Sequence, residues 1–263
     1  MALEFQGKAL PLDRESVAII VDRLNVGVAE LWAILEVETS GCGFLMDRRP
    51  LILYERHIFS RLSNQRFDTA HPEISNPARG GYGAGGTHQY ERLALALSLD
   101  RKAALRSASW GIGQVMGFNA ENAGYADEEA MVTDMAVSEH QQLLALVGEI
   151  TQNRLDSALR RHDWATFARG YNGPAYAENS YDTRLAAAYQ KFSRGPLPDL
   201  VVRAAQLYLT YLGYHPGPVD GWMGKHTRSA LAQFQEAHGI AITSEIDEDQ
   251  LSALKQEVEE LSA

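Results

Sequence analysis

One cysteine, Cys42, in 263 residues excludes an internal disulfide, so the fold does not depend on oxidation. Flanked by Gly41 and Gly43, it reads as a small residue beside a tight turn rather than a reactive thiol. No window reaches the roughly 18 apolar residues that a membrane-spanning helix needs, so no integral membrane segment is expected. Positive charge is scarce too. With 24 Lys and Arg against 34 Asp and Glu, the formal net charge is −10, which excludes the basic stripe of a nucleic-acid binder. The opening stretch MALEFQGKALPLDRES lacks a basic region followed by an apolar one. No secretory signal is therefore expected, and synthesis is placed in the cytoplasm. Eight histidines fall without HExxH spacing and there is no GxSxG elbow, so neither a metal site nor a cofactor is expected. Gly81, Gly83 and Gly86 spell GxGxxG, but no strand precedes them and no helix opens on them at once, which argues against a dinucleotide loop.

What is present describes a globular protein. The chain is 45% hydrophobic and 22% charged, and long enough for one good-sized core and a small second one. Apolar spacing predicts helices over residues 15–24, 28–39, 90–99, 128–150, 153–162, 164–171 and 181–192. A short strand is predicted over 51–54, after Pro50. Residues 63–88, rich in Gly, Pro, Asn and Ser, read as loop. Two prolines and a glycine in 193–198 mark a linker, and three further helices are expected over 199–212, 225–238 and 247–261. The fold class is α+β, mainly α, with a first domain over 1–192, the linker 193–198 and a small three-helix domain over 199–263.

The chemistry concentrates between residues 31 and 57. On a helical wheel Glu38 lies about 40° from the mean apolar direction of the second helix, and Glu36 about 120° from it. Glu38 thus borders the buried face, where desolvation keeps a carboxyl protonated; the alternative is a solvated helix end. Glu55 ends the apolar run 51–54, and either serves as an ionised carboxylate or is tied up structurally by Arg56 or His57. A protonated carboxyl and an ionised one across a cleft are the parts that glycosidic cleavage uses. Asp47, in the connection between them, is a third carboxylate.

These segments carry a resemblance. EVETSG (36–41) with RRPLILYERH (48–57) resembles the N-acetylmuramidase domain of endolysins from phages infecting Gram-negative bacteria. SWGIGQVM (109–116) and ARGYNGP (168–174) are similar to the cleft motifs of the wider goose-type lysozyme and lytic transglycosylase superfamily. The departures are Thr39, where serine is usual, and Val115 after the glutamine. The resemblance implies a lysozyme-like catalytic domain with Glu38 as general acid and Glu55 as second carboxylate. Gln114, Tyr171 and Asn172 would line the sugar subsites. Their alternatives are a polar loop residue for Gln114 and a core aromatic for Tyr171. The glycine-rich stretch would then be a flexible rim loop whose Tyr82 and Tyr90 stack on sugar faces, with Thr87 a further polar candidate.

LGY (212–214), GPVDGWMG (217–224), Thr227 and AQFQ (232–235) together resemble a three-helix peptidoglycan-binding domain, which implies wall contacts by Tyr214, Asp220 and Trp222. Asp220 alternatively caps its own turn. The two resemblances imply a monomeric enzyme whose partner is bacterial peptidoglycan. It would be made in the host cytoplasm, released by a holin-type lesion and active in the periplasm on the β-1,4 bond after N-acetylmuramic acid. A lytic transglycosylase and a non-catalytic wall-binding or virion structural protein are the rival readings.

Overall fold

The computed structural model describes residues 3–39 and 42–261. Asp13 caps the first helix, α1 (Arg14–Leu24), by accepting from the Ser16 amide, and Asn25 ends it in the left-handed region at φ 51°. The second, α2 (Val28–Thr39), buries Leu31, Trp32, Ala33, Ile34, Leu35 and Val37. A helix apolar on nearly every side belongs inside the core.

The strand β1 (Ile52–Tyr54) follows and leads straight into α3 (Arg56–Leu62). Next come α4 (His88–Leu99), α5 (Arg101–Arg106) and a hairpin of β2 (Ala108–Trp110) and β3 (Val115–Met116). The three strands form an antiparallel sheet in the order β1-β2-β3, with Leu53 opposite Ser109 and Trp110 opposite Val115. The chain continues through α6 (Glu128–Met135), α7 (Glu139–Gln152), α8 (Asp156–Arg160), α9 (Trp164–Tyr171) and α10 (Tyr181–Arg194). The helices α11 (Leu200–Tyr211), α12 (Lys225–Ala237) and α13 (Glu248–Glu260) complete it.

Four expectations need correction. The single helix over 128–150 is two, because Ser138 caps α7 by accepting from Gln141 N while its backbone bridges to Leu10. The helix over 153–162 shrinks to the single turn of α8. The stretch 101–116, given no structure from the sequence, holds α5 and two strands. Finally, α10 runs through Ser193 and Arg194, so the irregular connection to the second domain begins only at Gly195. The turn expected at Gly41 lies outside the described residues. Cys42 shares contacts of 3.3–3.4 Å with the Phe44 backbone, and burial together with Glu139 pushes its thiol up to about 12, an inert state.

The small domain is docked, not loosely tethered. Its core of Leu207, Leu209, Leu231, Phe234 and Leu254 also takes in Ala9 and Phe44 from the larger domain. Across this seam Arg203 and Glu139 form an ion pair with both side chains fully buried, Nη1–Oε2 2.5 Å and Nη2–Oε1 2.7 Å. The same carboxylate accepts from Leu12 N at 2.8 Å and Gly43 N at 2.9 Å, while the Tyr211 hydroxyl donates to Ala9 O at 2.9 Å. Arg203→Met would leave Glu139 buried, without its cation and short of two donors. The expected cost is about 3–5 kcal/mol, read as a lower urea midpoint at unchanged m-value.

Candidate active site

Glu38 closes the last turn of α2. Its Oε1 accepts a short hydrogen bond from the hydroxyl of Tyr181, the buried first residue of α10. Arg184, one turn along α10, donates from Nη2 to Val37 O at 2.9 Å. Burial pushes the Glu38 carboxyl up to about 7, against the opposing pull of Tyr181 and Arg184. Glu36 behaves differently: it turns outward and pairs with Lys191 at 2.5 Å.

A second carboxyl, missed in the sequence, belongs to this cluster. Glu149 on α7 is 7% exposed, accepts from Asn119 Nδ2 at 2.6 Å, and is also pushed up to about 7, first by burial and further by Glu38. Its signal was legible: Gln142, Leu146 and Glu149 are spaced i, i+4, i+7, so a glutamate continues the inward stripe of α7. Tyr181 has no comparable signal, since its partner is 143 residues away.

Gln114 turns the β2–β3 hairpin with positive φ, 49°. Its amide is used locally, Nε2 donating to Gly111 O at 2.8 Å and Oε1 accepting from Ser109 Oγ at 2.8 Å. Tyr171 stacks on Phe167 and donates to Gly113 O at 2.6 Å, which ties α9 to the hairpin. Asn172 is the exposed residue that ends α9.

Glu55 stands at the junction of β1 and α3, with its amide bound to Ser107 O at 2.8 Å. Its Oε2 lies 3.0 Å from His57 Nδ1, a close contact without the angles of a hydrogen bond. Burial pulls the His57 ring below its ordinary value, partly offset by Glu55 and reinforced by Arg79 and Arg61. The Tyr82 hydroxyl also interacts with Glu55. Among the described residues no hydrogen bond or ion pair joins Glu38 to Glu55. The hairpin connects their surroundings, for Tyr171 binds its turn while β2 pairs with the strand that delivers Glu55.

The glycine-rich loop is anchored at Tyr82, whose carbonyl accepts from Gln89 Nε2 at 2.8 Å and Arg92 Nη1 at 2.7 Å. Tyr82 stays 37% exposed. Tyr90 is not available to stack on a sugar: it is 5% exposed, packs edge-on to Trp110 and donates to Pro50 O. Asp47 is held by Arg49 at 2.6 Å, and Thr87 precedes α4 without a side-chain cap bond.

In the small domain, Asp220 Oδ1 accepts from Trp222 N and from Gln206 Nε2, both at 3.0 Å, so it holds its own turn. Tyr214 packs edge-on against Phe234. Asp220 and Trp222 line a cleft of about 130 Å³ with Trp32, Glu36 and Lys191, facing the larger domain.

A mainly helical body around a small antiparallel sheet, with a glutamate carboxyl raised to about 7 by burial at the end of a core helix, defines a lysozyme-like protein followed by a helical module. The family model for N-acetylmuramidase matches residues 27–193, and the model for a peptidoglycan binding domain matches residues 200–254. The chain belongs to the N-acetylmuramidase family. Among solved structures it is similar to the Burkholderia AP3 phage endolysin, with 44% identity, a TM-score of 0.63, and coverage of 70% of this chain and 71% of that one. No curated protein matches it.

The Glu38 carboxyl has an ordinary value of 4.5 and a folded value near 7, so between these pH values the folded state binds more protons and loses stability as pH rises. Glu38→Gln removes that loss. Its stability gain over the wild type, measured by urea unfolding, is expected to be larger at pH 8 than at pH 5.

Proposed function

We propose that this protein is an endolysin that hydrolyses the β-1,4 bond between N-acetylmuramic acid and N-acetylglucosamine in peptidoglycan. The observation that carries the reading is Glu38, a carboxyl protonated up to about pH 7 and gripped by Tyr181. In this mechanism Glu38 protonates the leaving glycosidic oxygen, and the Tyr181 hydroxyl then stabilises the carboxylate left behind. Glu55 is the second carboxylate, orienting water or stabilising the oxocarbenium-like transition state. Gln114, Tyr171 and Asn172 shape the sugar subsites, the first two through the backbone they fix. Residues 199–263 are the wall module, joined through the short connection 195–198, with Tyr214 and Trp222 as glycan contacts and Asp220 as the brace of their loop. The enzyme would act as a monomer in the periplasm after synthesis in the host cytoplasm and release through a holin-type lesion.

A lytic transglycosylase is the second reading. It is favoured by one feature, that the polar neighbours of Glu38 are Tyr181, Arg184 and Glu149 rather than Glu55. A transglycosylase needs only one carboxylate, because the sugar's own 6-hydroxyl closes the ring.

Mass spectrometry of digested sacculi separates the two: reducing muramyl ends for hydrolysis, 1,6-anhydro ends for transglycosylation. Glu38→Gln is expected to lower lysis by about 10²–10⁴-fold while leaving sacculus binding intact. Full residual lysis would remove Glu38 from the acid role. Glu55→Gln is expected to lose on the order of 10²-fold, and wild-type rates with it would favour the one-carboxylate mechanism.

A further inference from the structure

Beside Glu55 lies a pocket that none of Gln114, Tyr171 and Asn172 lines. It is lined by His57, Ser60, Arg61, Asn64, Gln65 and Pro77, and holds about 430 Å³ of open space. Three of these residues, at positions 57, 60 and 61, share one side of α3 by their i, i+3, i+4 spacing. Asn64 and Gln65 are consecutive non-glycine residues at φ 55° and 60°. Backbone strain of this kind is kept where the surroundings over-determine it, and functional sites are common among such places.

The charge here runs against the rest of the chain. In a protein of net charge −10, neither Arg56, Arg61 nor Arg79 has a carboxylate within ion-pair distance among the described residues. Of the nearby acids, Asp68 is already satisfied by Ser60 at 2.9 Å and Ser75 at 2.5 Å, and Glu55 faces His57 at 3.0 Å. The Arg56 guanidinium is packed so closely under Gly81 that a Cβ there would fall 2.5 Å from its Cζ, and its Nε has no hydrogen-bond partner. Arg61 lines this space, and Arg79, two residues beyond the lining Pro77, acts with it on the His57 ring at the wall. Unpaired guanidinium groups around a recess fit a planar carboxylate, which they bind with paired donors.

If the chain cleaves wall glycan, the carboxylate has an evident source. Every N-acetylmuramic acid carries, through its lactyl ether, an acidic stem peptide projecting to the side of the sugar chain. We propose that the pocket beside Glu55 binds a carboxylate of this stem peptide, with Arg61 and Arg79 as its anchors. The inference rests on the glycan-cleaving reading for its ligand. It adds that the enzyme recognises the peptide as well as the sugar.

The test uses binding, so that it does not depend on cleavage. The probes are N-acetylglucosaminyl-N-acetylmuramic acid with and without its tetrapeptide, which lack the bond that the enzyme would cut. Each is titrated by NMR into the full chain and into the Arg61→Gln/Arg79→Gln chain; both residues are exposed, so the fold should be unaffected. The expected result is that the tetrapeptide strengthens binding to the wild type by about tenfold, the effect of one charge-assisted hydrogen bond, and that the double variant loses this advantage. A tetrapeptide that adds nothing in the wild type overturns the proposal. So does an advantage that persists in the variant, because the peptide would then be held elsewhere, for instance on the small domain. Wild-type digestion of sacculi is scored separately. Its absence would remove the muramidase reading, while the titration would still report whether the pocket takes the peptide.

Discussion

The buried carboxylate of Glu139 is the constraint on which the arrangement rests. A charge fully removed from water is tolerable only when its oxygens are saturated with donors, and here four converge: two from Arg203 and the amides of Leu12 and Gly43. Those donors belong to the N-terminal segment, to the chain just beyond α2 and to the first helix of the small domain. One side chain therefore fixes where three distant parts of the sequence meet. Its helix extends the same task. Gln142 binds the Gly43 and Met135 carbonyls and the Ile112 amide, seating the β2–β3 hairpin. Glu149 reaches the surroundings of Glu38. Residues 139, 142, 146 and 149 fall within about 80° of one another around the helix, so one stripe of α7 reaches the domain seam, the hairpin and the surroundings of Glu38.

The state of Glu38 is a balance of opposed effects. Burial penalises its charge, and a charged Glu38 in turn raises the Glu149 carboxyl nearby. Tyr181 donates a hydrogen bond that favours the carboxylate, and Arg184 acts in the same direction. Burial wins, but not by so much that the group is locked protonated. A value near 7 is suited to a general acid, which must give its proton up and recover it within each cycle. A fully apolar setting would make proton release harder, and a fully paired one would leave no proton to give.

Much of this was legible in the sequence where the signal was periodic and local. The bounds 28–39 and 164–171 are those of α2 and α9, and the three C-terminal stripes became α11, α12 and α13 within a residue or two. The wheel also separated Glu36, which pairs at the surface, from Glu38 beside the core. What stayed hidden was set by partners far along the chain. The strands β2 and β3 are too short to show alternation and exist because β1 pairs with β2 and β2 with β3. The helix break at 136–138 follows from a bridge to Leu10, which no local pattern encodes. Tyr90 looked like a sugar platform because exposure was assumed from the loop before it, whereas the first turn of α4 carries it inward onto Trp110.

The seam also changes how the small domain can help. A flexible tether raises local concentration alone, whereas a module docked through Arg203, Tyr211 and a shared core presents any ligand in one orientation. The cleft on that seam brings Asp220 and Trp222 against Glu36 and Lys191. Glu36 and Glu38 are two residues apart on the same helix, hence about 160° apart around it. The last turn of α2 thus has one face toward the small domain and the other toward Tyr181. One turn of a tightly packed core helix therefore borders both the cleft toward the small domain and the Glu38–Tyr181 contact.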